Sequence, residues 1–484
     1  MAGRGLRYWL PSYVADTLRR RSARAARKRG LTHILFLICD HFEPRHGIRD
    51  DSQPAARLRQ WHSGFRSLQS ECKQRYGVKP LHTWFYPPHH GLEHLPALAN
   101  MAFDGLGEVE LHYHHGGDTA RKLAADLKSA LAQYHRAGLL LQLGSPPVKR
   151  FGFIHGDWGL ANSGGAEFCG VNSELSLLRG LGCWGDLTMP SVNECQSRKI
   201  NSIYYATGSE AEPKAYDRGD DARVGVVDSQ RLLLIQGPLG VRLGAGLRPR
   251  MENASLTSPN WGTEERIRAW IDCHIHVQGR PEWLFIKLHT HGAIERDFDA
   301  LFGERARRMH RTLAEQYNDG RRYRLHYITA RQAFNLARAA EGGAQGDPEQ
   351  FLDWEVPAQA TSLYWTDAPH DTLVCTPDRL VLDNIEAPAG TTVHSRYPGV
   401  ESISGRLRAL EVSVPRSSIT LSPREDDAVF AVRLGNGVRV AAVDGAAQVE
   451  EGREGGLSVK GRGEVSLQLS GATDCGLDTA RVAS

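Results

Sequence analysis

No stretch of this chain approaches the run of about 20 apolar residues that spans a bilayer, and its first residues show no apolar core ahead of a small-residue cleavage site. Without a span or an export signal, a cytoplasmic location is the expectation. Cysteine is sparse: eight residues, at 39, 72, 169, 183, 195, 273, 375 and 475, include no CxxC pair. That spacing argues against a zinc ribbon and a dense disulfide framework, and it leaves buried thiols as the expected state. No motif of the kind that reads DNA or RNA is present, and most of the chain is mildly acidic, so nucleic acid is not an expected partner.

What charge there is lies unevenly. The net +3 conceals nine Lys/Arg and one Asp in residues 1–30, which leaves 50 basic against 55 acidic residues, or −5, for the remainder. In this arm Leu6, Trp9, Leu10, Tyr13, Val14 and Leu18 recur at near-helical spacing ahead of "RRRSARAARKRG". Two readings follow: an amphipathic arm resting on the inner face of an anionic membrane, or a terminal helix docked on the main domain with a solvated basic flank. Pro11 interrupts a long helix in either case.

The 484 residues exceed what a single core supports, so more than one domain is expected. From residue 31 to about 345, strand-like and helical patterns alternate, as in a parallel α/β sheet or barrel. The strand candidates are "THILFLICD", "LHTWFYPP", "GEVELHYHH", "KRFGFIHG", "GCWGDLTMP", "EWLFIKLHTHG" and "YRLHYITA". Helical text such as "DTARKLAADLKSALAQYHRAG" and "RDFDALFGERARRMHRTLAEQYNDG" lies between them. An insertion at about 191–262, with a hairpin-like "RLLLIQGPLGVRL", breaks the repeat and is expected to form a lid or rim. A linker at 340–350 leads to residues 355–484, where short β-branched segments separated by Gly and Asp turns predict an all-β sandwich, with a hairpin at Asn436-Gly437. Of the 21 histidines, 19 precede residue 355. The chemistry is therefore expected in the first domain.

Three of the proposed strands end in ionisable text: "ICDHFEP" with Asp40, His41 and Glu43; "LHYHHGGD" with His112, His114 and His115; and "KLHTHG" with His289 and His291. A parallel core strand cannot carry charge along its length, so these groups belong at its mouth, where α/β folds collect binding residues. Several such ends on one side of a sheet would gather imidazoles and carboxylates in a single cleft, the composition of a divalent-metal site. His112 and His114 project to the same face in extended chain, and His115 replaces one of them if the chain turns early. Taken singly, His155, His274, His276 and His291 read as hydrogen-bonded structural residues. Asp40 reads alternatively as a turn residue.

These residues resemble the NodB-type polysaccharide deacetylases over about residues 31–340. The resemblance implies a distorted (β/α) barrel of about seven strands and a metal-dependent hydrolase that removes an N-acetyl group from a sugar of a surface polysaccharide or its lipid-linked precursor. It implies Asp40 as general base, His289, after Leu288, as general acid, and a zinc or similar divalent ion held by an acid and two histidines. Asp40 is followed by His41 rather than a second Asp, so Glu43 is the candidate acidic ligand. Position 116 is Gly, so His112 is joined by His114 or His115. The family's Arg-x-Pro-Tyr element is absent, and "GFIHGDWGLANS" occupies its place, offering His155, Asp157, Trp158 and Asn162 to a substrate together with His41 and His291. Trp84, Tyr86, Trp158 and Trp184 are candidates to stack on sugar faces, although such aromatics more often pack a core. The rivals are an amidohydrolase-type metal hydrolase, suggested by the His-x-His pairs at 112/114, 274/276 and 289/291, and a non-catalytic carbohydrate-binding protein.

Overall fold

An apolar run without alternation is the pattern of a strand covered on both faces, and Thr32–Phe42 forms such a strand, β1, with all 11 residues buried. The computed structural model describes residues 6–27, 30–48, 53–140, 142–143, 148–243, 249–358, 364–366, 368–376, 379–395, 397, 399–435, 437–452 and 456–471. The chain divides into two compact units, Met1–Ala130 with Lys149–Pro357, and Leu131–Val148 with Ala358–Ser484.

In the first unit β1 is followed by β2 (His82–Tyr86), β3 (Gly107–Tyr113), β4 (Phe151–His155), β5 (Cys183–Asp186), β6 (Ile203–Ala206), β7 (Gly219–Asp221), β8 (Leu233–Ile235), β9 (Trp283–Gly292) and β10 (Tyr323–Tyr327). They join in one sheet of order β9-β1-β2-β3-β4-β5-β8-β6-β7, with β10 also pairing β1. Every pair from β9 to β8 is parallel. Only β6 and β7 run antiparallel to their neighbours. β1 is the hub: β9 follows it from His33 to Phe42, β10 takes its other edge over Thr32–Phe36, and β2 takes that edge over Ile38–His41.

The helices are α1 (Leu6–Arg27), α2 (Gln53–Tyr76), α3 (Leu95–Phe103), α4 (Ala120–Arg136), α5 (Glu174–Gly180), α6 (Glu264–Cys273), α7 (Phe298–Leu301), α8 (Glu304–Gln316) and α9 (Ala330–Glu341). α2 buries Leu58, Trp61, Phe65, Leu68 and Cys72, one apolar stripe at helical spacing. The single helix expected from "RDFDALFGERARRMHRTLAEQYNDG" is split into α7 and α8. Gly303 is extended there, and the Asp299 carboxylate accepts the Glu304 N–H at 3.0 Å, so a side chain restarts the helix. One face of β1 sends Leu35, Leu37 and Cys39 into a core with Ile154, Phe285 and Phe334. The other face sets Phe36 against Trp270 and Tyr327.

The insertion differs from its expected form. β6, β7 and β8 extend the main sheet, and "RLLLIQGPLGVRL" makes no hairpin: its first half is β8, while Gly240–Leu243 pairs with Pro249–Glu252 in a separate ribbon. Leu232–Ile235 is buried on both faces and therefore needs sheet neighbours on each side, which a two-stranded hairpin does not supply. The N-terminal arm is a helix that continues through Pro11. Trp9 is fully buried against Ile200 and Leu239, the Asp16 carboxylate accepts from Asn201 Nδ2 at 3.0 Å, and Arg20 donates to the Asp272 carbonyl at 3.0 Å. Leu10, Val14 and Leu18 are left outward, one turn apart. No helix among the described residues is long and apolar enough to cross a membrane.

The second unit is built on one connected antiparallel sheet of ten strands between Tyr364 and Ser470. The strict alternation of Ala428–Leu434 turns Phe430 and Val432 inward. The texts "GLSVKG" and "EVSLQLSG" fuse into one 15-residue strand, Gly456–Ser470. Asn436 lies outside the described residues, and the strands flanking Gly437 pair with Gly456–Ser470 rather than with each other.

Candidate metal centre

Side chains alternate along a strand, so His41 continues the row of Leu35, Leu37 and Cys39 beyond the end of the apolar core. β3 does the same with His112, opposite Ile154 of β4, and β9 with His289 and His291, the latter in register with His41. Parallel neighbours end on one side of the sheet, and the backbone just past β1 and β3 adds Glu43 and His114 there. The His41 ring stands 4.8 Å from His112, 4.9 Å from His291 and 6.0 Å from His289.

At the centre, His114 Nε2 is 3.0 Å from both Glu43 Oε1 and His112 Nε2, and His112 Nε2 is 3.5 Å from the same carboxylate oxygen. The far ring nitrogens are committed. His112 Nδ1–H donates to the Ile154 carbonyl at 2.9 Å and His114 Nδ1–H to the Asp157 carboxylate at 3.0 Å. In neutral rings both Nε2 atoms then carry lone pairs. Two lone pairs and a carboxylate oxygen face one another, an arrangement that only a cation or an added proton relieves. Tetrahedral coordination with bonds of about 2.1 Å separates its ligand atoms by about 3.4 Å, so these three atoms stand at ligand spacing. Anchoring of the remote nitrogens on a carbonyl and a carboxylate is the habit of metal-bound histidine.

The electrostatics agree with a cation-seeking site. Burial opposes charge on Glu43, yet its contacts with His112, His114 and His291 hold it far below the usual carboxylate range. Against the desolvation that lowers it, the bonds to Asp157 and Glu43 raise the His114 imidazole to about 9. Burial, reinforced by neighbouring imidazoles, pushes His41 well below its ordinary range, and burial with nearby Lys287 does the same to His289. Both are neutral rings at pH 7, and each has a buried nitrogen with no hydrogen-bond partner, Nε2 of His41 and Nδ1 of His289. His291 Nδ1 lies 3.5 Å from Glu43 Oε2 and is partly open. Trp158 packs edge-on to this wall, 6.3 Å from His289 and 6.1 Å from His291.

Asp40 is not part of this arrangement. One residue out of phase with His41, it leaves the opposite face of β1, where Oδ1 accepts the Gly292 N–H at 2.6 Å and Oδ2 lies 3.7 Å from His82 Nδ1. A Cβ at position 292 would collide with this carboxylate, which explains the glycine ending "HTHG". His115 and His155 also leave the centre for a neighbouring group: His115 Nε2 and His155 Nε2 both face Glu174 Oε1, at 3.1 and 3.5 Å, with Cys169 Sγ 3.5 Å from Oε2. Asn162 serves its own loop, donating to Asn172 and accepting the Gly170 N–H. Trp84, Tyr86 and Trp184 are buried, and Trp158 alone of the four candidate stacking aromatics stands beside the imidazoles.

Sequence reasoning passed over Glu174 and treated Cys169 as an inert thiol. Their signal is three-dimensional: the register Tyr113↔His155 lays the ends of β3 and β4 side by side, and no spacing in the text reveals it. His89, 5.1 Å from the His114 ring, carried a visible signal in the "PPHHGLEH" loop. A third grouping of possible ligands, His33, His326 and Asp347, is different in kind. There His326 Nδ1–H donates to Glu349 and its Nε2 accepts from His33 Nδ1–H, so the pair is satisfied without an ion.

No family model, curated protein or solved structure matches the chain.

Proposed function

We propose that the first unit is a metal-dependent hydrolase, with Glu43, His112 and His114 as ligands of a divalent ion, zinc by donor type, and that it cleaves the amide of an N-acetylated sugar. The observation that carries this reading is the convergence of two committed imidazoles and a carboxylate, lone pair to lone pair, at the mouth of a parallel sheet. The resemblance to NodB-type deacetylases supplies the substrate class. The sheet is read as a distorted (β/α) barrel, a reading supported by Lys287 of β9, whose buried ammonium donates to the Leu187 and Met189 carbonyls just beyond β5.

A bound divalent ion polarises a carbonyl and lowers the pKa of a water from 15.7 toward about 7. The chain's own part is orientation and proton movement. Asp157 fixes the His114 ring by its Nδ1–H. His291, beside Glu43 and partly open, takes the proton of the attacking water, the role that Asp40 is too far round the strand to fill. His289, neutral and buried, relays that proton to the departing nitrogen, taking it up on its lone-pair nitrogen and releasing the one on the other, so that the ring ends neutral as it began; each such transfer is worth about 10²–10⁴-fold in rate. Trp158 and the His41 ring form the apolar wall against which a sugar face lies.

The outward stripe Leu10, Val14 and Leu18, followed by the basic run, supports contact of α1 with an anionic membrane surface, where a lipid-linked precursor would be met. Sedimentation with anionic but not zwitterionic vesicles is the expected result, and no binding to either contradicts it. The activity is tested by acetate and free-amine release from N-acetylhexosamine oligomers with zinc-loaded protein. Turnover lost in His112→Ala and His289→Gln, with metal retained in the latter, supports the assignment. Absence of turnover on every such oligomer overturns the substrate class.

A further inference from the structure

The grouping left aside by the proposed reaction is chemically complete. His115, His155, Cys169 and Glu174 each bring a potential ligand atom within 4.8 Å of the others. They come from four places in the chain: the turn after β3, the last residue of β4, the loop between β4 and α5, and the first residue of α5. Each has a reason to be near its neighbours, but together they do not satisfy one another.

The hydrogen-bond account shows the deficit. His155 Nδ1–H donates to the Gly156 carbonyl at 2.5 Å, so the neutral ring presents a lone pair at Nε2. That nitrogen is buried, has no hydrogen-bond partner, and lies 3.5 Å from a carboxylate oxygen of Glu174. His115 Nδ1–H donates to Asp118 at 3.0 Å, which turns its Nε2 toward the same Glu174 oxygen at 3.1 Å. A second proton on His115 would satisfy that contact and still leave His155 facing the oxygen, lone pair to lone pair. One cation between them relieves both. The remaining polar atoms are already held: Glu174 Oε2 accepts the Ala161 N–H at 2.7 Å and the Cys169 S–H at 3.5 Å, and Cys169 Sγ accepts the Val171 N–H at 3.4 Å, while burial and the Glu174 charge push the thiol up to about 12, so that it takes a cation to draw off its proton.

We propose that His115, His155, Cys169 and Glu174 form a second, buried, four-coordinate site for a divalent transition-metal ion, separate from Glu43, His112 and His114 and structural in role. Two imidazoles, a thiolate and a carboxylate are the donor set of a closed zinc site with no open position. Tetrahedral bonds of about 2.0 Å to oxygen and 2.3 Å to sulfur set those ligands about 3.5 Å apart, the separation found between Cys169 Sγ and Glu174 Oε2. On binding, the Cys169 thiol releases its proton to solvent and its sulfur forms the metal bond. Asp118 and the Gly156 carbonyl are the groups that orient the two rings.

The ion would fasten a loop that needs fastening. Between His155 and Cys169 four non-glycine residues, Asp157, Trp158, Ala161 and Asn162, lie in the left-handed region, a strain that surrounding structure must offset. Two of them, Asp157 and Trp158, reach the first centre. The site itself does not depend on the proposed reaction, and the experiment separates the two.

Cobalt(II) is the probe. The full-length protein loaded with cobalt is expected to show the near-ultraviolet charge-transfer band of a cobalt–thiolate bond, retained in His112→Ala and lost in Cys169→Ser. Elemental analysis of zinc-loaded protein should show one ion fewer per chain in Cys169→Ser and in His155→Ala than in the wild type. A wild-type cobalt spectrum with no thiolate band overturns the site, even if both variants fail to fold, and so does a band that persists in Cys169→Ser. Loss of an ion in His112→Ala reports on the first centre alone.

Discussion

Asp40 and His41 are adjacent in the chain and opposite in consequence. His41 points into the imidazole cluster, whereas the Asp40 carboxylate is a buried acceptor for the Gly292 N–H. Asp40→Ala leaves that N–H unpaired and is expected to cost about 1–3 kcal/mol of stability, read from chemical denaturation. Metal content should be unchanged, and loss of the bound ion in this variant would place Asp40 at the centre after all. His114 gives a prediction of opposite kind. Its folded pKa of about 9 lies above the ordinary 6.5, so in metal-free protein its contribution is fully present below pH 6.5 and is lost as pH rises through about 9. The melting temperature of metal-free protein should therefore fall between pH 6.5 and 9. Zinc competes with the His114 proton, so ion affinity should rise over the same interval. A metal affinity independent of pH there would exclude His114 as a ligand.

At the scale of elements, α1 is a docked helix with two unlike faces. Trp9→Ala empties a site that is fully buried among Ile200, Leu239 and Tyr13, and about 3–5 kcal/mol of destabilisation is expected. Leu10→Ala, on the outward face, should stay within about 0.5 kcal/mol. Equal effects of the two changes in thermal melts would mean that the helix is not seated as described. The elements were largely legible because their signals are local. The seven strand texts of the first unit each form a strand, since continuous apolar runs such as "ILFLIC" have no other stable environment. What failed to show was pairing. Nothing in "RLLLIQGPLGVRL" states that its halves join different sheets, and nothing around Gly437 states that its flanking strands both prefer Gly456–Ser470. The site divided along the same line. His112, His114 and Glu43 were visible as strand-end clusters, while the phase of Asp40, the diversion of His115 and His155, and the participation of Glu174 depend on period-two geometry and cross-strand register.

For the molecule as a whole, neutral buried histidine sets the response to acid. Burial is the largest cause lowering His33, His90 and His155 to about 4 and His310 to about 3, all from 6.5. The unfolded chain therefore binds protons that the native state refuses below pH 6.5, so stability is intact above that value and falls as pH drops toward 4. Each such group removes up to about 1.4 kcal/mol per pH unit in that window. Acid unfolding well above the range of carboxylate titration is expected, and a flat stability between pH 6.5 and 4 would contradict the burial of these rings.

The account rests on a divalent ion shared by Glu43, His112 and His114, and a zinc titration by calorimetry tests it most directly, comparing wild type with His112→Ala and His114→Ala. The expected result is tight binding in the wild type with one site missing from each variant while the fold persists. A wild-type protein that takes up no zinc, or variants that bind as many ions as it does, would contradict it.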